Sequence, residues 1–299
     1  MLGSSVCWTG NNFIRSEYKS VVEDKYSSGY EKMTLVGKYL TSLNRILKML
    51  GVHPRKTFRA FRALPIFFRN LIILKSQQRS SKVSFPFGTA NPCLEDRLLE
   101  GGIATGHYFH QDLLVARKVY ANNPILHVDA GSRVDGFVAH IASFRSIEVL
   151  DIRESKSKVT NITFTQCDLM GDVPARLINY CDSLSCLHAL EHFGLGRYGD
   201  PVRFDGYLAG LNNLNKILRA GGRLYVSVPI GPQRIEFDAH RVFSVKYLLD
   251  LLREKYMLVS FAYVDDEGDL FENAPLTDDN IETNFGCDYG CGIFELIKK

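Results

Sequence analysis

The stretch ILHVDAGSRVDGF, residues 125–137, decides the fold of this chain. Its first six residues include several apolar and β-branched side chains, which predict a buried strand, and a glycine turn follows. In doubly wound α/β proteins a ligand commonly lies over such a turn, beyond the carboxyl end of the strand. Arg133 and Asp135 occupy positions where a nucleotide-binding turn usually keeps small residues. The turn alone therefore does not identify its ligand.

Strands and helices alternate along most of the chain after this point. We predict strands at residues 125–130, 146–152, 162–169, 181–189 and 223–230. The first, second and fifth of them are nearly continuous apolar runs, as expected when helices cover both faces of a sheet. Strands that alternate with helices favour a parallel sheet with right-handed crossovers.

The last two apolar segments, MLVSFAYVDD at 257–266 and CGIFELIKK at 291–299, show no obvious helix between them. We therefore expect them to form an antiparallel pair at the edge of the sheet. Five parallel strands closed by such a pair give an α/β, Rossmann-like fold class: mostly parallel, with an antiparallel C-terminal edge hairpin.

Composition predicts a soluble globular protein with one large domain and an appendage. Of the 299 residues, 45% are hydrophobic and 23% are charged. No apolar run approaches the roughly 20 residues that span a bilayer, and the N-terminus lacks the pattern of a secretory signal. We expect a cytoplasmic protein. The stretch at 80–93, rich in Ser, Gly and Pro, predicts a basic, largely helical extension at 1–93 and an α/β domain at 94–299.

Charge is unevenly distributed along the chain. No Asp or Glu lies between Glu31 and Glu95, whereas twelve Lys and Arg residues do. These charges alternate with apolar residues in amphipathic patterns, which favours peripheral association of residues 32–82 with an anionic membrane, at its inner face. The alternative is an appendage that packs on the main domain with its charges solvated. We expect no specific nucleic acid partner, because aromatic stacking platforms need a sheet that this segment lacks.

The seven cysteines are scattered, and reduced thiols in a cytosolic protein are the simpler interpretation. Only Cys287 and Cys291 are closely spaced, and no second pair of ligands lies nearby in sequence, so we predict no metal. His188, Glu191 and His192 spell H-x-x-E-H, an inverted zinc-protease signature when it lies on a helix. Here two glycines follow a predicted strand end, which disfavours that geometry.

Acidic side chains mark successive strand ends. Asp129 ends the first predicted strand, just before Gly131, and Asp168 ends the third. Asp151 ends the second strand, twenty residues beyond Gly131, which is the spacing of a carboxylate that binds ribose hydroxyls. Because carboxyl ends of parallel strands meet at one edge of a sheet, we expect these side chains to converge on one adenosine-sized cavity.

His240 follows the fifth strand and is a candidate general base, since an imidazole titrates near neutrality. It is about equally typical of a residue that caps the helix predicted to begin near Ser244. His192 has the same ambiguity, as it could merely cap its turn. Arg197, Arg234 and Arg241 could clamp a phosphate or carboxylate.

Four motifs in order resemble a known family: HVDAGSRVDGFVAHIASFRSIEVLDIR, SLSCLHALEHFGLGRYGDP, VSVPIGPQRIEFDAHRVFS and NFGCDYGCGIFEL. They resemble domain of unknown function family 268, a bacterial and nematode family placed near the class I methyltransferases. The resemblance covers roughly residues 94–296. It implies S-adenosyl-L-methionine as cofactor and methyl transfer to a hydroxyl of a sugar or other polar small molecule. Some members are similar to proteins encoded among surface-polysaccharide genes.

The resemblance also implies roles for particular residues. Asp168 would lie near the adenine amino group, Asp135 could hold the cofactor's ammonium group, and the LEH sequence would lie near cofactor or substrate. The cofactor-binding residues implied are Asp129, Gly131, Ser132, Asp135, Gly136, Asp151, Asp168 and His188. The catalytic residues implied are His240, His192 and Glu191.

This sequence departs from the D-x-G-x-G-x-G pattern of related methyltransferases, because Arg133 and Asp135 replace its second and third glycines. Two other interpretations therefore stay open. The first is a non-catalytic scaffold of the same fold. The second is a protein that binds a nucleotide-sugar or dinucleotide, although the missing G-x-G-x-x-G and the edge hairpin disfavour a dehydrogenase.

Overall fold

The computed structural model describes residues 43, 46–83, 85–94, 102 and 104–299. They fall into two compact units that divide after Gly102. In the first unit, helix α1 (Pro54–Ser80) exposes Phe58, Phe61 and other apolar side chains among its basic residues. None of the helices in the described part of the chain combines the length and apolarity needed to cross a bilayer. The segment 32–82 begins outside the described residues, and its attachment to a membrane stays a prediction.

The second unit contains an eight-stranded sheet and a separate two-stranded hairpin. The strands are β1 (His127–Ala130), β2 (Ile147–Asp151), β3 (Ile162–Gln166), β4 (Cys181–Leu187), β5 (Leu218–Ile230), β6 (Arg234–Glu236), β7 (His240–Val242), β8 (Tyr256–Val264), β9 (Leu270–Phe271) and β10 (Gly290–Lys298). The helices of this unit are α2 (His107–Asn122), α3 (Ala139–Ala142), α4 (Gly206–Ile217), α5 (Val245–Leu252) and α6 (Asp278–Glu282).

The large sheet has the order β3-β2-β1-β4-β5-β10-β8-β9. Strands β1 to β5 pair in parallel, with Val128 opposite Glu148 on one side and Leu184 on the other. The last strand, β10, runs antiparallel to both β5 and β8. The predicted fold class is therefore confirmed: a mostly parallel, Rossmann-like sheet with antiparallel pairing at its C-terminal side.

Two details differ from the expectation. Strand β10 is inserted between β5 and β8, so β8 runs parallel to β5 and the short β9 forms the edge. Two connections also lack an α-helix: β2 reaches β3 through a loop, and β3 reaches β4 through one 3-10 turn at Ala175–Leu177. Strand β3 is accordingly only half-buried, whereas all four residues of β1 are buried.

Apolar side chains cover both faces of the sheet. Leu114 and Val119 of α2 belong to one core cluster, together with Phe137 and Val149. The other cluster includes side chains of β1 and β5 and residues of α4 and α5 such as Leu214 and Leu248. Covering both faces explains why all residues of β1 and the last seven of β5 are buried.

Helix α2 also buries a carboxyl group against the backbone of the turn after β1. Asp112 is 5% exposed, and its Oδ1 accepts a hydrogen bond from Gln111 Nε2 at 3.2 Å. A side chain at Gly136 would overlap Asp112 Oδ2, so this glycine serves the packing of α2. Burial raises the pKa of Asp112 to about 6.

We predict that Asp112 makes the protein less stable as the pH rises from 4 to 7. Because its pKa is raised from 3.8 to about 6 in the folded chain, the folded state binds the proton more tightly than the unfolded state. The stabilising effect is complete below pH 4 and is lost as the pH passes 6, a fall of up to about 3 kcal/mol in the free energy of unfolding. Urea denaturation measures this free energy. Between pH 4 and 7 it should fall less in Asp112→Asn than in the wild type, by about that amount.

The control is Asp135→Asn. Arg133 holds the pKa of this exposed carboxyl below its ordinary value, so Asp135 loses its proton below the range from pH 4 to 7. In Asp135→Asn the free energy of unfolding should therefore fall across this range as it does in the wild type. An equal fall in Asp112→Asn and the wild type would contradict the assignment.

Candidate functional site

A cavity of about 390 Å³ opens at the carboxyl ends of β1 to β4. Strand order reverses here, since β1 lies between β2 and β4, and ligands of open α/β sheets bind at such points. Side chains from α2, from the loops after the four strands and from residues 198–200 form its walls. The lining residues named by the sequence analysis are Gly131, Ser132, Asp135, Asp151, Asp168, His188 and His192.

The turn after β1 is held from below by Asp129. This fully buried carboxyl group accepts hydrogen bonds from Ser132 N at 2.9 Å, Ser132 Oγ at 2.6 Å and Ser185 Oγ at 2.5 Å. Burial raises its pKa to about 6. Gly131 has a φ of +73° and donates its N–H to Leu150 O at 3.0 Å. Asp129 thus supports the turn and does not line the cavity, and Gly136 does not line it either.

Arg133 and Asp135 form an ion pair at the rim of the cavity. The guanidinium donates two hydrogen bonds to the carboxylate, at 3.1 and 2.8 Å. It also lies over the ring of Tyr108, with 4.9 Å from Cζ to the ring centroid. The side chains are 54% and 74% exposed, so Arg133 borders the cavity without plugging it. Because Asp135 is paired with Arg133, an ammonium group would have to compete for it.

Asp151 occupies the end of β2 and is also paired with an arginine. Its Oδ1 accepts from Arg153 N at 2.8 Å and Nε at 2.9 Å, and its Oδ2 accepts from Nη2 at 2.7 Å. The Arg153 guanidinium in turn lies 4.7 Å from the centroid of the Tyr198 ring. Sequence reasoning missed Arg153 and Tyr198 as lining residues. The only available signal was the D-x-R spacing, which occurs in many surface loops.

Asp168 follows β3 and keeps one oxygen available. Its Oδ1 accepts from Met170 N at 2.8 Å, and its Oδ2 has no hydrogen-bond partner among the residues that the structure describes. Asp151 and Asp168 both line the same cavity. Two of the three strand-end carboxylates therefore meet as expected, and the third, Asp129, lies beneath them.

His188 and Glu191 form a buried pair after β4. His188 has a φ of +49°, and its Nδ1 lies 2.7 Å from Glu191 Oε1, so we place a proton on Nδ1. Burial acts to raise the pKa of Glu191, but His188 and His192 together hold it below its ordinary value. Glu191 is 1% exposed and lies behind the cavity wall, whereas His188 lines the cavity.

His192 is the second imidazole in the wall. Its Nδ1 donates to Ala239 O at 2.8 Å, and its Nε2 lies 3.8 Å from Glu191 Oε1. Burial lowers its pKa, so the ring is neutral near pH 7. The hydrogen bond through Nδ1 leaves Nε2 as the nitrogen that can accept a proton.

His240 lies on β7 and does not line the cavity. Its ring contacts Tyr289, at 5.0 Å between centroids, and lies 6.4 Å from the ring of His192. Ser244, not His240, caps α5, because its hydroxyl accepts from Tyr247 N at 3.2 Å. The position of His240 is set by the β6–β7 hairpin, which the sequence analysis did not predict.

The three arginines considered as clamps bind protein groups instead. Arg241 is buried and donates to backbone carbonyls of residues 191, 193 and 204. Arg197 donates to Ala239 O at 3.0 Å, and Arg234 pairs with Glu236 at 3.0 Å. None of the three lines the cavity.

The inverted zinc-protease interpretation requires a helix that the chain does not form. Residues Leu190–His192 make a single 3-10 turn, and His188 precedes it with a left-handed backbone. The imidazole of His192 donates its Nδ1–H to Ala239 O, so the two histidines do not share one face of a helix as a zinc-protease motif requires.

Solved structures with a similar chain trace include several methyltransferases. The 1,6-didemethyltoxoflavin-N1-methyltransferase of Burkholderia thailandensis is 17% identical, with a TM-score of 0.45 over 63% of this chain and 78% of that one. The N-methyltransferase NodS of Bradyrhizobium japonicum is 12% identical, with a TM-score of 0.43 over 68% and 91%. A putative sarcosine dimethylglycine methyltransferase of Galdieria sulphuraria is 13% identical, with a TM-score of 0.45 over 62% and 83%.

No curated protein sequence matches this chain significantly. One family model matches residues 123–284, more than half of the chain and most of the sheet described above. The match confirms the family resemblance and covers the first three of the four motifs, while the fourth begins where the match ends. The chain belongs to the family described as Caenorhabditis protein of unknown function, DUF268.

Proposed function

We propose that this protein is an S-adenosyl-L-methionine-dependent methyltransferase that acts on a hydroxyl of a sugar or related polar small molecule. One observation carries the proposal. The cavity at the strand ends combines an Asp168 carboxylate oxygen that has no partner among the described residues with a neutral imidazole, on His192. The first group suits recognition of an amino group, and the second suits removal of a proton.

The residues present fit the proposed cofactor. A volume of about 390 Å³ lies within the range of ligand sites, roughly 300–1,000 Å³. Gly131 has no side chain and a positive φ, so its backbone allows close approach of a ligand. Asp168 would accept from the adenine amino group. Asp151 would accept from a ribose hydroxyl while it keeps Arg153, since a carboxylate offers about four lone-pair sites.

Bound S-adenosylmethionine supplies an electrophilic methyl group on a sulfonium. The role of the chain is then to position the acceptor and take its proton. His192 Nε2 would accept the proton of the acceptor hydroxyl, while Nδ1 stays bonded to Ala239 O. The Glu191 carboxylate, 3.8 Å from Nε2, stabilises the imidazolium that forms. Polar wall residues such as Tyr198 and Asp200 favour a polar acceptor.

A second candidate function rests on the two guanidinium groups of the cavity wall. Arg133 and Arg153 both line the cavity, and guanidinium groups bind phosphates bidentately. S-adenosylmethionine carries no phosphate, whereas a nucleotide-sugar carries two. The same fold would then bind a nucleotide-sugar, with or without catalysis. A role in surface-polysaccharide synthesis is compatible with either function.

Binding of S-adenosylhomocysteine is the first test. Isothermal titration should show binding to the wild type, weakened about 10- to 100-fold in Asp168→Ala because a hydrogen bond to a charged group is lost. Asp172→Ala removes an exposed carboxylate four residues away and should leave the affinity unchanged. No heat with S-adenosylhomocysteine, together with binding of a uridine-diphosphate sugar, would contradict the first function and support the second.

Transfer of a radiolabelled methyl group to a panel of monosaccharides and nucleotide-sugars tests the base. We expect His192→Gln to lower the rate about 10²- to 10⁴-fold, the usual contribution of general base catalysis, with unchanged affinity for S-adenosylhomocysteine. His240→Gln is the matched control and should have a much smaller effect, since His240 lies outside the cavity wall. An unchanged rate in His192→Gln would exclude it as the base, and no transfer to any acceptor would contradict the acceptor class.

A further inference from the structure

Three potential metal ligands from distant parts of the chain meet behind the cavity wall. His107 begins α2, His188 follows β4, and Cys291 is the second residue of β10. One donor atom of each lies within 4.8 Å of the other two. Cys291 is fully buried, His188 is 8% exposed, and His107 is half-buried. The topology therefore brings two imidazoles and a thiol together in a place shielded from bulk water.

One atom of this cluster is a buried polar group without a partner. His188 Nε2 is inaccessible to solvent and makes no hydrogen bond in the described part of the chain. Its other ring nitrogen, Nδ1, is engaged by Glu191 Oε1 at 2.7 Å. Binding of a cation would use Nε2 in its deprotonated form, with the remaining ring proton on Nδ1. A bound cation would also give this buried nitrogen a partner.

The surroundings of His188 have the form found around metal-binding histidines. Such a histidine usually donates its other N–H to a carboxylate, which fixes the tautomer and orients the ring. Glu191 does this here, and it is itself 1% exposed. The rings of His107 and His188 are nearly parallel, with 8° between their planes and 5.2 Å between centroids. Stacking thus holds the two rings side by side, with one nitrogen of each within 4.8 Å of the other.

We propose that His107, His188 and Cys291 bind a Zn²⁺ ion, with water as the fourth ligand. Two imidazole nitrogens and one thiolate suit zinc, which binds nitrogen and sulfur in tetrahedral sites. Bond lengths near 2.0–2.3 Å place tetrahedral donors roughly 3.3–3.8 Å apart, so closure of the cluster shortens the distances between donor atoms by up to about 1.5 Å. The thiol lies 3.8 Å from Gln111 Oε1.

This assignment replaces the expectation of no metal, and it differs from the H-x-x-E-H interpretation. His188 and Glu191 belong to that motif, but Glu191 acts as the orienting carboxylate and His192 takes no part. The ion would tie α2, the loop after β4 and β10 together behind the cavity. Tyr108, next to His107, and His188 both line that cavity, so the ion would fix one wall of it. The proposal does not depend on which ligand the cavity binds.

The test uses the full-length protein, its zinc content and its Co²⁺-substituted form. We expect about one zinc per chain by mass spectrometry, and with Co²⁺ a thiolate charge-transfer band and the strong visible bands of a tetrahedral site. Cys291→Ser should lose the charge-transfer band, whereas Cys287→Ser, a buried cysteine four residues away, should keep it. His107→Ala should lose zinc, whereas His110→Ala in the same turn of α2 should retain it. Glu191→Gln should weaken zinc binding about 10- to 100-fold.

Near-ultraviolet circular dichroism establishes that each variant is folded. If Cys291→Ser does not fold, the His107→Ala and His110→Ala pair decides the question. Zinc well below stoichiometry after titration of the wild type with Zn²⁺ against a chromophoric chelator would overturn the proposal. Equal zinc affinity in Cys291→Ser, His107→Ala and the wild type would overturn it as well.

Discussion

The central strand β1 imposes the constraint on which the rest of the site depends. It is buried on both faces between β2 and β4. The polar groups of the turn after Ala130 therefore need hydrogen-bond partners within the protein. Asp129 meets this requirement because it accepts both the N–H and the hydroxyl of Ser132, as well as the hydroxyl of Ser185 on β4. The cost is a buried carboxyl group whose pKa is raised to about 6 by burial. These hydrogen bonds fix the turn at Gly131, which lines the cavity.

The charges around the cavity are compensated within the chain. Arg133 pairs with Asp135, and Arg153 pairs with Asp151, each at a separation of two residues. Both arginines also lie over tyrosine rings, which restricts their movement. Among the carboxylates that line the cavity, Asp168 keeps one oxygen without a hydrogen-bond partner in the described part of the chain. In the proposed function, Asp168 is therefore the group that would recognise a ligand amino group.

The sequence was sufficient to predict the sheet because β1, β2 and β5 lie in largely apolar segments that alternate with predicted helices. It also placed Asp151 and Asp168 correctly, since carboxyl ends of parallel strands share one edge. It failed where a position depends on packing between distant segments. His240 was a candidate base from its place after β5, but it lies on the β6–β7 hairpin and does not line the cavity. The cluster of His107, His188 and Cys291 has no short spacing that a motif could capture.

The insertion of β10 between β5 and β8 explains how such distant residues meet. The chain returns from α6 through the middle of the sheet, which brings Cys291 beside the residues that follow β4. No local pattern encodes this contact, because it arises only when the last strand is paired on both sides.

Hydrogen bonds within the protein hold the loop after β4, which bears on the proposed catalysis by positioning. Asp200 accepts hydrogen bonds from the backbone N–H groups of Gly194, Gly196 and Tyr198, at 2.8–3.1 Å. Arg241 holds the carbonyls at both ends of the same loop. His192 is therefore oriented by hydrogen bonds within the protein. In the proposed function, methyl transfer requires in-line approach of the acceptor, so a wall fixed in advance would lower the entropic part of the barrier.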